Sequence, residues 1–130
     1  MTLTHEYIAG FFDGEGCAGL YWNTSTKYWE PHIQIRLRWD NPNRSMLTRL
    51  SLQYRSSVFQ SLNGYRKDGS RKYACTLRIY TRDEILRFID DILPYVCLKK
   101  TQLVLLQAYL LERTYGKHFA MHLKQHKRRY

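Results

Sequence analysis

Residues 8–16 combine glycines and acids in a way that few helices tolerate. They read Ile-Ala-Gly-Phe-Phe-Asp-Gly-Glu-Gly. A glycine inside a helix costs roughly 1 kcal/mol relative to alanine, so Gly10 and Gly14 need a structural reason. They are four residues apart and share one helix face, and a face without side chains lets a second backbone approach closely. Ala9 widens this bare strip. The pattern predicts a helix over about residues 4–13, with one face that another backbone can approach closely.

Two carboxylates lie at an unfavourable end of this predicted helix. Asp13 and Glu15 fall at its carboxyl end, where the helix dipole carries partial negative charge and normally attracts cations. A positive group should compensate, and a divalent metal ion with hard oxygen ligands would do so. The alternative is an ordinary core helix with a glycine cap and a solvated Glu15, which explains neither the bare strip nor the acids.

The charge balance favours a nucleic-acid partner. The chain has 130 residues, the length of one domain with one core. Its 21 Lys and Arg against 11 Asp and Glu give a net charge of +10, which suits nucleic acid or, less often, an anionic membrane. The alternative is a basic protein with no such ligand. The longest apolar stretch, 103–111, is interrupted by Gln107 and is far shorter than the ~20 residues that span a bilayer, so no membrane association is expected.

The N-terminus and the cysteines bear on the compartment. His5 and Glu6 interrupt the first residues and no apolar segment of a signal peptide follows. Cys17, Cys75 and Cys97 are odd in number and lack CxxC spacing, so we expect free thiols in a reducing compartment. The sequence predicts a protein that is not secreted, either cytoplasmic in a prokaryote or organelle-encoded.

Two pairs of strand-like runs follow the glycine-rich helix. Residues 17–23 alternate and are followed by a hairpin connection, 23–27. The clearest strand, 33–39, alternates apolar residues with Gln34, Arg36 and Arg38, which predicts a sheet with one buried face. A helix begins after 40–43, and a second hairpin joins 58–65 to 71–80. Further helices follow, of which 99–115 is apolar nearly all round and expected to be largely buried.

Residues 8–16 resemble the signature motif of the LAGLIDADG homing endonucleases. Gly14 replaces the second alanine of that motif and Glu15 the second aspartate, and both changes are common in the family. The order of helix, two strands, helix, two strands and helices is also similar. The resemblance implies an α+β fold of αββαββα order, whose four-stranded antiparallel sheet contacts DNA on one face and carries helices on the other. The implied endonuclease domain is 1–116, and 117–130 is a basic C-terminal helix or tail.

The polar face of this sheet is the expected DNA-binding surface. A strand of ten residues spans about 33 Å and duplex DNA rises about 3.4 Å per base pair, so one sheet follows roughly ten base pairs. Three residues of the second strand are the strongest candidates for reading bases in the major groove, followed by five others: Gln34, Arg36 and Arg38, then Tyr21, Asn23, Lys72, Thr76 and Arg78. Loop cations are expected to contact phosphates: Lys27, Arg66, Lys67 and Arg71. A solvated sheet face, the alternative, would normally carry acids as well.

Only one copy of the motif is present. Members of the family with a single motif form homodimers, in which the motif helices pack across a twofold axis. The resemblance therefore implies a homodimer, which would recognise a roughly palindromic site of about twenty base pairs. The implied dimer interface contains Ala9, Gly10, Asp13 and Gly14.

The resemblance also implies Mg²⁺-dependent cleavage of double-stranded DNA. Glu15 and the Gly14 carbonyl would hold Mg²⁺, with other divalent metals possible, and Lys99 would stabilise charge around the attacking water, unless Lys100 takes this role. The family often has glutamine or lysine just past the second strand. Here Trp39 and Asp40 stand there, so either Asp40 or the preceding Arg38 substitutes as the third catalytic residue or the pocket is rearranged. Asp13 is expected to be a cap and interface residue.

Two other functions fit the same fold. One is an intron RNA maturase that binds and helps to fold intron RNA, and the other is a non-catalytic DNA-binding protein. Glu15 and Lys99 favour the enzyme, because a protein that only binds DNA needs no carboxylate facing phosphate. The tail remains open: His118, His122 and His126 recur every four residues, which fits a metal site, a basic DNA-contacting helix or a frayed tail.

Overall fold

A four-stranded antiparallel sheet with helices on one face makes up residues 2–112, the part of the chain that the computed structural model describes. The helices are α1 (His5–Glu15), α2 (Asn41–Gln53), α3 (Arg82–Ile92) and α4 (Lys100–Glu112), with a 3₁₀ turn at Leu93–Tyr95. The strands are β1 (Gly16–Asn23), β2 (Tyr28–Arg38), β3 (Ser57–Tyr65) and β4 (Arg71–Ile79), in the spatial order β1-β2-β4-β3. The predicted α+β class and αββαββα order are confirmed. The tail 117–130, with its three histidines, lies outside the described residues.

The central strands β2 and β4 supply the floor of the core. Ile33 lies opposite Ile79 and Ile35 opposite Leu77, and all four side chains are fully buried in one cluster with residues of the helices. Because side chains alternate across a strand, the residues between them point to the other face. The helices therefore cover one face only, and the polar side chains of β2 and β4 are left on the opposite face.

Local turn chemistry closes the two hairpins. In the first, the Asn23 carboxamide oxygen accepts a hydrogen bond from the backbone N–H of Ser25 at 2.9 Å. In the second, Asp68 accepts one from the N–H of Ser70 at 2.9 Å, and Gly69 has a φ of 87°, which suits glycine. Both connections lie where the sequence predicts them.

β2 begins at Tyr28, earlier than the alternating pattern predicts. Pro31 lies inside it, although proline cannot donate a ladder hydrogen bond. β4 pairs with β2 only from Ile33 onward, so the proline lies where β2 is bordered by β1 alone. The early start brings two further polar residues, Glu30 and His32, onto the polar face of the sheet.

α1 begins one residue later and ends two residues later than predicted. Its N-cap is Thr4, whose hydroxyl accepts from the N–H of Tyr7 at 3.2 Å. The prediction that Ala9 belongs to the exposed strip and the dimer interface is wrong: Ala9 is fully buried in the core of its own chain. Only Gly10 and Gly14 of that strip are exposed, and we refer to these two residues as the glycine strip.

α4 is less buried than its apolar sequence predicts. Leu103, Leu106 and Leu110 pack into the core, whereas Val104 is 43% exposed and Leu111 is 62% exposed. The prediction of a largely buried helix therefore holds for one face. None of the helices in residues 2–112 has the length and apolarity needed to cross a membrane.

Replacing Gly16 by alanine should destabilise the fold. A Cβ at Gly16 would lie 2.0 Å from the ring of Phe12, which is fully buried, so either the ring or the backbone must shift. We expect the free energy of unfolding, measured by chemical denaturation, to fall by about 1–3 kcal/mol. Combining Gly16→Ala with Phe12→Leu, which shortens the obstructing side chain, should cost less than the sum of the two single changes. An additive result would contradict the steric explanation.

Candidate functional site

The end of α1 and the start of α4 hold each other through complementary charges. The Asp13 carboxylate accepts hydrogen bonds from three successive backbone N–H groups, at 2.7, 3.1 and 3.1 Å: Cys97, Leu98 and Lys99. The Lys99 ammonium donates to the carbonyl oxygens of Phe12, at 3.3 Å, and Gly16. An anion thus lies at the positive start of α4 and a cation at the negative end of α1, which is the favourable arrangement of both helix dipoles.

We call this pair of contacts, formed by Asp13 and Lys99, the clasp. It supplies the positive charge that was expected beside the acids at the carboxyl end of α1. The positive group at the end of α1 is the ammonium of Lys99, which also lies 5.7 Å from the centre of the Phe12 ring. Asp13 binds the backbone of the three residues that lead into α4 of its own chain, and its expected place in a dimer interface stays a prediction. Lys100, the alternative catalytic lysine, is exposed at the first position of α4.

Glu15 is the last residue of α1 and is exposed, together with the glycine strip. A Cβ built on Gly10 or Gly14 meets no atom within 4 Å, so this side of α1 is open to another surface. Among residues 2–112, no three His, Cys, Asp or Glu side chains lie close enough together to hold a metal ion. Glu15 therefore offers a single carboxylate, and a divalent-cation site at this place would use other oxygen atoms beside it, such as the Gly14 carbonyl, water or phosphate.

A surface groove joins Glu15 to several of the other predicted site residues. Its lining includes Phe11 of α1, Arg36 and Arg38 of β2, and Asp40 at the start of α2. The fold thus places the carboxylate at the end of α1 beside the cationic end of β2. The sequence predicted each of these charged residues separately, and the groove shows that they share one location.

Asp40 has a capping role in this groove. Its Oδ1 accepts from the backbone N–H of Asn43 at 2.9 Å, and its Oδ2 accepts from Arg38 Nε at 3.1 Å. The N–H of Asn43, followed by Arg38, holds the pKa of Asp40 below its ordinary value. A carboxylate with a lowered pKa is a poor proton acceptor. The structure therefore supports Asp40 as the residue that orients Arg38, and it does not support the predicted catalytic role.

Trp39 does not supply the missing polar group either. The guanidinium of Arg44 lies 4.5 Å from the centre of its ring, and the indole packs against the core. Of the candidates at this position, Arg38 is the most exposed side chain that lines the groove. Its side chain is 86% exposed.

Gln34 and Arg78 form a pair at the middle of the polar sheet face. They lie opposite each other on β2 and β4, and Gln34 Oε1 accepts from Arg78 Nε at 3.2 Å and Nη2 at 2.7 Å. The same guanidinium lies 5.5 Å from the ring of Phe59 on β3. The two predicted base-reading residues are therefore pre-oriented by each other.

Thr76 does not behave as predicted. It is fully buried, and its hydroxyl is hydrogen-bonded to that of Ser61 at 3.0 Å. It lies between Arg36 and Phe59 on the neighbouring strands. The prediction of an exposed, DNA-contacting Thr76 is therefore wrong for this structure, because a short side chain at the centre of the sheet is covered by longer neighbours.

The outer end of the polar face contains a residue that the sequence analysis missed. Tyr21 Oη donates to Glu30 Oε2, and Asn23 Nδ2 donates to Glu30 Oε1 at 2.6 Å. These hydrogen bonds, that of Tyr21 first, lower the pKa of Glu30, and the bond to Glu30 raises the pKa of Tyr21. Glu30 has the same parity along β2 as Gln34, so the period-2 pattern could have found it if Pro31 had been read as part of the strand.

The remaining predicted cations lie around the hairpin connections and are exposed: Lys27, Arg66, Lys67, Arg71 and Lys72. Arg66 Nη1 donates to the carbonyl oxygen of Arg71 at 3.0 Å and so stiffens the second hairpin. The phosphate contacts of Lys27, Arg66, Lys67 and Arg71 stay predictions, and so does the base contact of Lys72.

Asp13→Ala should loosen the start of α4. It leaves three N–H groups without their acceptor, so we expect the free energy of unfolding to fall by about 1–3 kcal/mol. Amide hydrogen exchange should accelerate at Cys97, Leu98 and Lys99 in particular. Asp83→Ala is the matched control, because its side chain is 94% exposed, and it should cost less than about 1 kcal/mol. Unchanged exchange at residues 97–99 would show that the clasp contributes nothing to this segment.

Comparisons with known proteins place this fold. No protein-family model and no curated protein matches the sequence, but solved structures do. The homing endonuclease I-CvuI, in complex with the I-CreI target in the presence of Mg, superposes with a TM-score of 0.69 at 16% identity, covering 94% of this chain and 80% of that one. The LAGLIDADG meganuclease I-AabMI, bound to uncleaved DNA, gives 0.63 at 20% identity over 89% of this chain and 39% of its own.

A third solved structure is also similar in fold and low in sequence identity. The LAGLIDADG homing endonuclease I-GzeII, in complex with its DNA target, gives a TM-score of 0.65 at 18% identity, covering 85% of this chain and 36% of that one. The chain thus spans well under half the length of I-AabMI and I-GzeII. Identities this low relate folds, and these matches confirm the resemblance seen in residues 8–16: the chain has the fold of the LAGLIDADG homing endonucleases.

Proposed function

We propose that this protein is a site-specific DNA endonuclease that acts as a homodimer. The observation that carries the proposal is the exposed carboxylate of Glu15, which shares a groove with Arg36 and Arg38 at the end of a cationic sheet face. A protein that only binds DNA gains nothing from a carboxylate there, because it repels phosphate. A nuclease needs one to hold a metal ion.

The polar sheet face supports binding to duplex DNA. β2 has 11 residues and so spans about 36 Å, the rise of roughly ten to eleven base pairs. The middle of the polar sheet face carries Gln34, Arg36 and Arg78. Arginine recognises guanine and glutamine recognises adenine through paired hydrogen bonds in the major groove. The hairpin cations Lys27, Lys67 and Arg71 would flank the duplex and neutralise phosphates.

The glycine strip supports the dimer. Gly10 and Gly14 leave α1 open beside Glu15, so a second α1 could pack there with close backbone contact. Twofold symmetry would then bring a second Glu15 to the first and place two sheets end to end on about twenty base pairs.

Glu15 and the Gly14 carbonyl are hard oxygen donors and fit Mg²⁺ or another divalent cation. When bound, the ion would polarise the scissile phosphate and lower the pKa of an attacking water. Lys99 donates to the carbonyls of Phe12 and Gly16. Its positive charge therefore lies close to the carboxylate of Glu15 along the chain. Its role is to stabilise the negative charge that develops on the phosphate. Arg38, oriented by Asp40, adds a second positive charge to the groove.

The gene context and the compartment follow from the same proposal. We expect the reading frame to lie within an intron, and the protein to act in the cytoplasm of a prokaryote or in an organelle. The DNA that flanks the reading frame would then contain the target once the intervening sequence is removed.

Glu15→Gln should abolish cleavage and leave binding nearly intact. The amide keeps the size of the side chain but removes the charge that holds the metal, so we expect a loss of at least about 100-fold in the cleavage rate. The assay is cleavage, with Mg²⁺, of a duplex rebuilt from the two flanks of the gene's insertion site, alongside a gel-shift measurement with Ca²⁺. Glu112→Gln removes the same charge from the exposed end of α4 and should cleave normally.

The proposal fails if the wild-type protein binds this duplex and leaves it uncut while Glu15→Gln behaves identically. Accelerated splicing of the cognate intron RNA by such a protein would instead establish a maturase.

Gly10→Leu should prevent dimerisation. A leucine on the glycine strip holds two helices apart, so we expect the protein to sediment as a monomer at concentrations where the wild type is a dimer, and to lose double-strand cleavage. Asp90→Leu places the same side chain at an exposed position of α3 and serves as the control. If the wild type itself sediments as a monomer on its target DNA, the dimer is ruled out.

A further inference from the structure

Glu30 is the one carboxylate among the strand residues that line the polar sheet face in residues 2–112. It lies opposite Tyr21 in the β1–β2 register, in line with Gln34, Arg36 and Arg38 along β2. An acid on a surface that receives DNA weakens binding, because it repels the phosphates. Its presence there needs a reason other than affinity.

The carboxylate is held in one position. Tyr21 Oη donates to one oxygen and Asn23 Nδ2 to the other, at 2.6 Å, and the Tyr21 ring lies against His32 at 5.6 Å between ring centres. Both hydrogen bonds keep Glu30 ionised by lowering its pKa. A carboxylate has about four acceptor positions. Tyr21 and Asn23 each donate to one oxygen, and the side chains of Tyr28 and Thr26 add weaker hydrogen bonds, so a base amine would compete with these two weaker donors.

The major groove offers few groups that such an acceptor can use. Cytosine presents the N4 amine as a donor, whereas guanine presents two acceptors and thymine an acceptor and a methyl group. Adenine also has an amine, but its N7 acceptor lies beside it and would repel the second carboxylate oxygen. Cytosine is therefore the base whose edge best complements an anchored glutamate.

The position of this contact in the target follows from the length of the strand. Glu30 is four residues from Gln34 along β2, which corresponds to about 13 Å and hence to roughly four base pairs. It lies farther than Gln34 from the groove that contains Glu15, since that groove is lined by Arg36 and Arg38 at the other end of β2.

We propose that Glu30, anchored by Tyr21 and Asn23, selects a cytosine near the outer end of each half-site, about four base pairs beyond the position that Gln34 contacts. The inference rests on the proposed function and gives Glu30 a specificity-determining role. The negative charge contributes discrimination and not affinity: it attracts the amine of cytosine and penalises bases that present only acceptors.

The experiment is a selection of binding sites from a pool of randomised duplex DNA, with the full-length protein and Ca²⁺ in place of Mg²⁺. The wild type should select a cytosine at one outer position of each half-site. In Glu30→Gln, the preference for cytosine at that position should fall by roughly ten-fold or more, while preferences elsewhere stay the same. Glu30→Asp keeps the charge but shortens the reach, and it should lose the same preference. Glu112→Gln should select the wild-type sequence.

Two results would overturn the inference. If Glu30→Gln and Glu30→Asp both retain every base preference of the wild type, Glu30 serves only to hold the hairpin. If the lost preference is for a base other than cytosine, the contact is made by Tyr21 or Asn23, which Glu30 merely orients. A wild-type protein that enriches no sequence at all would refute the proposed function along with the inference, and so differs from a failure of the inference alone. Circular dichroism of each variant confirms that it is folded.

Discussion

The clasp between Asp13 and Lys99 is the interaction on which the geometry of the site depends. It joins two segments that are 83 to 87 residues apart in sequence, and each charge neutralises the partial charge of the opposite helix end. Because Glu15 lies between Phe12 and Gly16, whose carbonyls bind Lys99, these hydrogen bonds stabilise the helix end that carries the exposed carboxylate. An exposed acid at a helix end would otherwise be mobile and poorly placed to hold a metal ion.

The sheet determines where the remaining polar residues of the site lie. The helices bury Ile33, Ile35, Leu77 and Ile79 on one face, so the alternate residues of β2 and β4 must share the other. Hydrophobic burial thereby sorts the cations onto one surface without any attraction between them. Pairs such as Gln34 with Arg78, and the trio around Glu30, then reduce the side-chain freedom that a ligand would have to remove.

The features that the sequence predicts correctly are the strands and turns, whose positions depend on residues close together in the chain. The alternation in β2 and the hairpin residues at Asn23 and Asp68 are local, and their positions were correct to within a few residues. Ala9 and Thr76 were misplaced because their burial is decided by neighbours distant in sequence: the core around α1 in one case, and Arg36 and Phe59 in the other. Glu30 was missed because a proline normally ends a strand, and only the register with β4 shows why Pro31 is tolerated.

Gly16 joins α1 directly to β1, with no loop between them. The carboxylate of Glu15 and the first strand of the sheet are therefore consecutive parts of one backbone, and their separation is set by a fixed number of residues. If the proposed endonuclease activity holds, this direct connection fixes the distance between the bond that is cut and the bases that β1 contacts. Substitutions along the strands would then change which bases are chosen, whereas an insertion or deletion near residue 16 would move the cut relative to them.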